Sequence, residues 1–459
     1  MRSVKELNKL ADDATKSVRK TVDALVDAQS FIESDRFIRS LNPLGDAIGE
    51  GVISGFADID GEQVGIFAIN GEVLKGGIGK ANATKIAKCV NNAVKTGSPL
   101  VGVIDTQGAR FAEGIEALEG YGEIIAAFSN AYGVVPTVLV IKGSNLGALS
   151  YLSAMSDFTV CYEKSVTATA SPLVLVASSR EDEKSVGTAD AMIKAGVASV
   201  VVKNDAEAAV AVKKLLASTC DCVIEATDDG NRVCKGLKAG VKVEKLISEI
   251  FDAGSFIETK QGYGVEVVTG FARLNGISVG VVANNGEVND GRLTPAGAKK
   301  INDLLVTCGN YALPVVNLVN SKGAANCAVC QGELIRSIGD MIYGYNVLES
   351  AKIALVIGNA IGLGYTAFAS KSVCDYVIAW ENANIGVMDG ASAAQLVYSD
   401  EIAVSSDKEK VALKLAEAYD EDNTVASVVA EKGYIDNVIN PNHSRQYLIA
   451  AVQAFFDKR

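Results

Sequence analysis

Histidine is almost missing from the sequence, which has one among 459 residues. His443 lies in a C-terminal Pro-Asn-His-Ser segment and is expected at the surface. A Ser–His or Cys–His catalytic pair is therefore excluded. Nucleotide-binding loops are missing too: the sequence has no G-x-x-x-x-G-K-[ST] segment and no G-x-G-x-x-G segment in a dinucleotide-binding context.

A net positive charge and a long apolar run are also missing from the sequence. The net charge of −12 argues against non-specific binding of nucleic acid or anionic membranes. The longest apolar run, Ala354–Ala369, is short for a membrane span and is broken by Asn359 and three glycines. Residues 1–26 are charged and lack the apolar core of a signal peptide. A soluble, cytoplasmic protein is expected.

The nine cysteines do not form a recognisable metal site. Most lie in apolar surroundings and are predicted to be buried thiols in a reducing compartment. Cys327-x-x-Cys330 has no second pair, and Cys220, Cys222 and Cys234 supply only three ligands. With one histidine in the chain, no metal site is predicted.

The sequence repeats itself at an offset of 215 residues. Residues 51–65 read GVISGFADIDGEQVG, and residues 266–280 read EVVTGFARLNGISVG. The same offset separates Gly108 from Gly323 (323 − 108 = 215) and Gly147 from Gly362 (362 − 147 = 215). One register kept over such a length indicates a duplicated unit. The function is expected at the loops that the two copies share.

Strands and helices alternate within each copy. Asp60-Gly61 and Asn275-Gly276 predict matching hairpin turns between alternating strands. Buried strands, loops and helices follow, and this order builds stacked ββα units of the α/β class.

A chain of 459 residues is too long for one core. We predict an N-terminal domain over 1–217, which ends in a helical stretch over 186–217, and a C-terminal domain over 241–459. Residues 218–240 are polar and contain several glycines, so they are the predicted linker.

Four loops of small residues follow apolar strands in matched pairs: 105–110 with 143–148, and 320–325 with 358–364. Where a helix starts, backbone N–H groups are unpaired and the helix dipole is positive. Two such groups from paired loops can converge on one oxygen as an oxyanion hole. Glycines that merely permit tight turns are the alternative, but the matched pairs favour the oxyanion hole.

No side chain is an obvious general base. Either a carboxylate such as Glu113 or Glu116 takes the proton, or the substrate supplies the base. A salt bridge or a helix N-terminal charge is the alternative role for these two glutamates. Lys75, Lys80 and Lys142 are candidates for contacts with the phosphates of a small molecule, although each also fits a solvated surface charge.

Several segments resemble biotin-dependent acyl-CoA carboxyltransferases. LVGVIDTQGARFAEG (Leu100–Gly114) is similar to their VVGxxDSGGAR-x-x-EG segment, and GSNLGALSYLSAMSDFTV (Gly143–Val160) to their GPCAGGAV…TDFTV segment. In the second half, SVGVVAN (Ser278–Asn284), LIRSIGDMIYGY (Leu334–Tyr345) and NAIGLGY (Asn359–Tyr365) resemble further family segments. The resemblance covers nearly the whole chain in order.

The resemblance implies two tandem crotonase-like (ClpP/crotonase) ββα-spiral domains. It implies acyl-CoA on the N-terminal domain and biotin, attached to a separate carrier, on the C-terminal domain of a neighbouring subunit. It also implies that the ureido group of biotin is the base. The implied holes are Gly108, Ala109, Gly147 and Ala148 in the first half, and Gly323, Ala324, Gly362, Leu363 and Gly364 in the second.

The resemblance further implies a subunit of an acyl-CoA carboxylase or decarboxylase complex. Its partners would be acyl-CoA, a biotin carrier, and biotin carboxylase or membrane decarboxylase subunits, and its assembly a homo-hexamer built as a dimer of trimers. Thr366 stands where family members have a residue that tunes acyl size, and the lysines become candidates for the coenzyme A phosphates. Two alternatives remain, a biotin-independent crotonase-type enzyme acting on a CoA thioester and a non-catalytic assembly subunit.

Overall fold

The computed structural model describes residues 3–39, 48–177, 182–219, 223–226 and 228–456. The chain divides into two compact units, Met1–Ala217 and Ser218–Arg459. Each contains a sheet of eight strands with helices packed against it. In the described part of the chain, no helix has both the length and the apolar character needed to cross a membrane.

The first unit contains strands β1 to β8 and helices α1 to α7. The strands are Ile32–Glu33, Val52–Ile59, Glu62–Ile69, Leu100–Thr106, Thr137–Leu146, Phe158–Tyr162, Val166–Ala168 and Val200–Val202. The helices are Val4–Leu25, Lys80–Thr96, Ile115–Ala131, Leu152–Met155, Pro172–Val176, Ala189–Lys194 and Asp205–Ser218.

The second unit contains strands β9 to β16 and helices α8 to α16. The strands are Ile257–Thr259, Val267–Leu274, Ile277–Asn284, Val315–Ser321, Lys352–Ile361, Tyr376–Trp380, Asn384–Gly386 and Asn437–Ile439. The helices are Val243–Ile250, Pro295–Asn310, Gln331–Val347, Leu363–Phe368, Gly390–Leu396, Ser399–Val404, Lys408–Asn423, Ala426–Glu431 and Ser444–Phe455.

The two sheets have the same strand order. It runs β1-β2-β3-β4-β5-β6-β8 in the first unit and β9-β10-β11-β12-β13-β14-β16 in the second, while β7 and β15 pair with β5 and β13. In each order a short antiparallel strand and a hairpin come first, and parallel strands follow them. Gly65 lies opposite Leu100 and Gly280 opposite Val315, so the offset of the sequence is also the offset of the sheet register.

Left-handed residues form the two hairpin turns as predicted. Asp60 and Gly61 have φ of 56° and 78°, and Asn275 and Gly276 have φ of 53° and 81°. Two consecutive residues with positive φ match the right-handed twist of the flanking strands. The turns thereby fix the pairing of β2 with β3 and of β10 with β11.

A separate apolar core supports each sheet. In the first unit α2 and α3 cover the parallel strands, and the Phe67 and Phe128 rings meet edge to face at 6.1 Å. In the second unit Trp380 is fully buried, and its indole N–H donates to Ser444 Oγ over 2.9 Å. Burying such a ring stabilises the fold by roughly 2–3 kcal/mol.

The ends of the first unit differ from the sequence-based expectation. Residues 186–217 are not continuously helical, because β8 separates α6 from α7 and pairs with β6. Three consecutive valines favour a strand over a helix there. The predicted linker is not a free spacer over residues 228–240, because Cys234 and Leu237 are buried in the core of the second unit. Residues 220–222 and 227 of that stretch lie outside the described residues.

Candidate functional site

Two of the predicted loops meet in the first unit. Gly108 follows β4 with φ of 110°, and Gly147 follows β5 with φ of 80°, conformations that residues with a side chain rarely adopt. A Cβ atom on Gly147 would lie 3.7 Å from Gly108 Cα. The structure therefore brings the two loops into van der Waals contact.

Hydrogen bonds hold the first loop on both sides of Ala109. Ile78 N–H donates to Gly108 O over 2.9 Å, and Arg110 N–H donates to Ile78 O over 2.8 Å. The Gly108 N–H donates to Thr106 Oγ1 over 3.1 Å. Among the described residues, the N–H groups of Ala109 and Ala148 have no hydrogen-bond acceptor. The first loop pair therefore has two backbone N–H groups without an intramolecular acceptor.

A carboxylate ties the two loops of the first unit together. Asp105 is a half-buried residue near the end of β4, and its Oδ1 accepts the Ser144 N–H over 2.9 Å. Gly71 and Gly143 make room for this side chain, since a Cβ at either position would clash with the carboxyl group. Burial raises the pKa of Asp105, while the bond from Ser144 and the charge of Lys142 act against that rise.

The second unit repeats this arrangement. Gly323 and Gly362 have φ of 97° and 54°. Leu293 N–H donates to Gly323 O over 2.8 Å, and Ala325 N–H donates to Leu293 O over 2.9 Å. The Gly323 N–H donates to Ser321 Oγ over 3.1 Å. In the described part of this unit, the N–H groups of Ala324 and Leu363 lack an acceptor.

The paired loops of the second unit are also in contact. A Cβ atom on Gly323 would lie 3.7 Å from Leu363 N. Gly364 must remain glycine, because its Cβ would lie 2.5 Å from Ser321 O. Asn320 Oδ1 accepts the Asn359 N–H over 3.0 Å, as Asp105 accepts that of Ser144. The structure therefore places the predicted loop residues in two separate loop pairs, one in each unit.

The remaining predicted binding residues lie at different distances from these loops. Lys75 is exposed, and its carbonyl accepts the Gln107 N–H over 3.0 Å, which places it beside the first loop. Lys80 begins α2 and pairs with Glu123. Lys142 pairs with Asp205 over 3.1 Å. Thr366 is exposed, and its hydroxyl donates to Gly362 O over 3.3 Å.

The two candidate bases are placed differently. Glu113 is held in the fold, because its Oε2 accepts the Lys80 N–H over 2.8 Å and its Oε1 lies 3.3 Å from Arg110 Nη1. Glu113 therefore lies at the N-terminus of α2, the role that was the alternative to a general base. Glu116 is exposed at the start of α3. His443 is exposed before α16, as expected, and bonds to Gln446 over 2.9 Å.

The sequence reasoning missed Tyr121, a residue of α3. Its side chain is buried, and its hydroxyl has no partner among the described residues. A Cβ atom on Gly147 would lie 3.7 Å from that hydroxyl, so the phenol lies beside the first pair of loops. Burial raises its pKa to about 12, so it stays protonated and able to donate. The tyrosine has no motif signal of its own in a single sequence.

Metal ligands are not grouped in the described part of the chain, where no three His, Cys, Asp or Glu side chains lie close enough to hold an ion. Cys220 and Cys222 lie outside the described residues. The two loop pairs present backbone N–H groups at glycine turns, an arrangement that suits an oxygen that gains negative charge.

A family comparison agrees with this geometry. The model of the carboxyl transferase domain matches residues 12–459. The chain belongs to this family. The match confirms the predicted family and the predicted activity, that of a carboxyltransferase enzyme. The alternatives of a crotonase-type enzyme without biotin and of a non-catalytic subunit are not favoured.

Curated relatives align over almost the full chain. The methylmalonyl-CoA carboxyltransferase 12S subunit of Propionibacterium freudenreichii subsp. shermanii is 30% identical over 478 residues, which cover 99% of this chain and 91% of the relative. The methylmalonyl-CoA decarboxylase subunit alpha of Veillonella parvula is 30% identical over 468 residues, covering 96% and 90%.

A solved structure confirms the fold class. The transcarboxylase 12S hexamer was crystallised with methylmalonyl-coenzyme A and methylmalonic acid bound. Its chain has a TM-score of 0.91 to this chain at 28% identity, and the alignment covers 100% of this chain and 96% of the transcarboxylase chain. A single-chain, multi-domain long-chain acyl-CoA carboxylase has a TM-score of 0.83 at 22% identity. That alignment covers 98% of this chain and 47% of the carboxylase chain, and it supports the fold alone. Two tandem crotonase-like domains are therefore the architecture of the chain.

Proposed function

We propose that this carboxyltransferase moves a carboxyl group between an acyl-CoA and biotin attached to a separate carrier protein. The first unit would hold the acyl-CoA and the second the biotin. The observation that carries the proposal is the repeated pair of free backbone donors, Ala109 with Ala148 and Ala324 with Leu363. Two oxygens gain negative charge in such a transfer, and each unit offers donors for one of them.

In the first unit, the N–H groups of Ala109 and Ala148 would donate to the thioester oxygen. Negative charge develops on that oxygen when the α-carbon loses a proton or a carboxyl group. Donors already fixed in place stabilise this charge without reorganisation, and one such donor contributes about 100- to 1,000-fold in rate. Ile78 and Thr106 fix the first of these peptides, and Asp105 fixes the loop that carries the second.

The second unit would hold the ureido group of biotin. Ala324 and Leu363 present two N–H groups to a carbonyl oxygen, and glycines on both sides keep the backbone accessible. Biotin supplies the carboxyl group and a base when it is bound. The first unit would need such a base, because Glu113 is engaged in the fold and His443 belongs to the other unit.

We further propose coenzyme A contacts from Lys75, which lies beside the first loop and is exposed. Lys80 and Lys142 are weaker choices, because each already pairs with a carboxylate. Thr366 would line the acyl or biotin side of the second loop. A homo-hexamer that recruits a biotin carrier and further carboxylase or decarboxylase subunits is proposed by likeness to the transcarboxylase 12S hexamer.

The test measures carboxyl loss from a CoA thioester. Purified protein is incubated with free biotin and, in separate reactions, malonyl-, methylmalonyl- and glutaconyl-CoA. We expect decarboxylation of at least one thioester that depends on biotin. Turnover that proceeds equally without biotin, or no turnover of any of the three, contradicts the proposal.

A further inference from the structure

Two cysteines lie beside the second loop and have no part in the proposed transfer. Cys327 and Cys330 are joined as a disulfide, with Cα atoms 5.6 Å apart, inside the range that such a bond spans. They occupy the segment between Ala324 and α10 (Gln331–Val347). This segment follows the loop 320–325 and reaches the solvent, since Val329 is 99% exposed.

The other described cysteines have a different environment. All five are buried and reduced: Cys89, Cys161, Cys234, Cys308 and Cys374. Burial raises the pKa of Cys89 and of Cys161 to about 12, so these thiols are poor nucleophiles. Cys327 and Cys330 are only partly buried, and their surroundings suit exchange with a molecule from solution.

The backbone around the pair stabilises a negative sulfur. The Cys330 N–H donates to Cys327 Sγ over 3.2 Å. Cys330 directly precedes α10, a helix of 17 residues whose N-terminus carries a positive partial charge. Both features favour Cys327 as the attacking thiolate.

Hydrogen bonds connect the pair to Ala325, the residue after the donor at Ala324. The Cys327 N–H donates to Ala325 O over 3.0 Å, and the Ala325 N–H donates to Leu293 O over 2.9 Å. On the other side, Gln331 Nε2 donates to Cys327 O over 2.7 Å. A change at Cys327 therefore acts three residues from the Ala324 N–H.

We infer that Cys327 and Cys330 form a reversible dithiol–disulfide pair that sets the position of the second loop. This inference rests on the proposed function for its effect on biotin, but not for the redox chemistry. The Cys327 thiolate attacks one sulfur of a small-molecule disulfide and releases one thiol. The Cys330 thiolate then attacks Cys327 Sγ and releases the second thiol. Two protein thiols are oxidised, one external disulfide is reduced, and two protons move to the released thiols.

The first experiment follows the thiols without any turnover. The protein is equilibrated in buffers of reduced and oxidised glutathione, alkylated, and digested to the tryptic peptide 323–336. We expect the two alkylation sites to disappear together in one reversible transition. In Cys330→Ser, Cys327 should accumulate as a mixed disulfide with glutathione. Two cysteines that stay open to alkylation at every ratio overturn the inference.

The second experiment measures the consequence for biotin. The reduced and the oxidised protein are compared for the KM of free biotin in the decarboxylation assay. We expect the KM to be higher in the reduced form by about threefold or more, and the affinity for acyl-CoA to be the same in both. The Cys327→Ser/Cys330→Ser variant should give one KM under both conditions.

Each outcome identifies what has failed. An equal KM in both forms of the unmodified protein, or the same difference in the double variant, overturns the control of the loop. An absence of biotin-dependent turnover in every redox state counts against the proposed function, while the alkylation result still decides whether the pair is redox-active.

Discussion

The two units form the same backbone site with different side chains. A hydroxyl, Thr106 or Ser321, accepts the N–H two residues further on in each unit, over 3.1 Å in both. The next connection uses a carboxylate in the first unit and an amide, Asn320, in the second. The backbone of the loops therefore has the same hydrogen bonds in both units, and the charge of the side chain beside them differs.

The second donor also differs between the units. Ala148 is small and enters a short 3-10 helix, whereas Leu363 begins the α-helix Leu363–Phe368. A buried phenol, Tyr121, lies beside the first loop pair, and the position 215 residues later is Arg336, which is exposed. The backbone of the loop pairs is therefore alike in the two units, while the side chains around it differ.

The largest expected effect comes from closing either loop pair with a side chain. Gly147→Val places a β-branched residue at positive φ beside the paired loop, and Gly362→Val places one at positive φ, with its Cβ 3.6 Å from Val387 O. We expect each variant to lose about 100-fold or more in carboxyl transfer. Calorimetry with acyl-CoA separates them, because Gly147→Val should weaken its binding and Gly362→Val should not. Equal binding losses in both variants would mean that the units do not divide the two substrates.

A second prediction concerns a feature that the units share. Lys85 Nζ donates to Val52 O over 2.6 Å and Lys300 Nζ donates to Val267 O over 2.8 Å, and both lysines are buried. Burial lowers the pKa of each from 10.5 to about 8, against the charges of nearby carboxylates. Between these two values the unfolded chain keeps the proton that the folded chain has lost, so stability rises with pH.

Urea unfolding at pH 8 and pH 10 measures this rise, which should be about 2 kcal/mol for each lysine. Lys85→Met and Lys300→Met should each remove the part of this rise in stability that the substituted lysine contributes. If either variant keeps the full rise of the unmodified protein, that lysine is not the group that titrates.

The third prediction compares two buried tyrosines. Tyr345 donates to Asn317 Oδ1 over 2.9 Å, whereas the Tyr121 hydroxyl has no partner in the described part of its unit. Tyr345→Phe leaves a buried acceptor unpaired and should lower the free energy of unfolding by about 1–2 kcal/mol. Tyr121→Phe should not lower it, yet should reduce the rate of carboxyl transfer, because the hydroxyl lies beside Gly147. A loss of stability in Tyr121→Phe would show that its hydroxyl is bonded within the fold.

Sequence patterns could predict the repeat and its loops because both depend on local rules. A constant offset, the Asp-Gly and Asn-Gly turns, and glycines after apolar strands each have a direct backbone meaning, and the structure shows all three. The strand β8 was missed because three valines inside a helix-rich stretch gain their partner, β6, only in the folded sheet. The packing of Cys234 and the position of Tyr121 likewise depend on contacts distant in sequence, which one sequence does not reveal.

The smallest expected effect comes from exchanging the charge that distinguishes the units. Asp105→Asn keeps an oxygen for the Ser144 N–H and removes a half-buried carboxylate, while Asn320→Asp makes the reverse change. Because burial raises the pKa of Asp105, the folded state holds the proton more tightly than the unfolded state, and stability is lost as pH rises through the folded value. At neutral pH, Asp105→Asn should therefore be more stable than the unmodified protein, by less than about 1 kcal/mol because solvent screens the group.

The difference in stability between Asp105→Asn and the unmodified protein should vanish in acid below the ordinary carboxyl range, and Asn320→Asp should show the opposite sign. An Asp105→Asn variant that is less stable at neutral pH would mean that the negative charge itself, and not its oxygen, holds the two loops together.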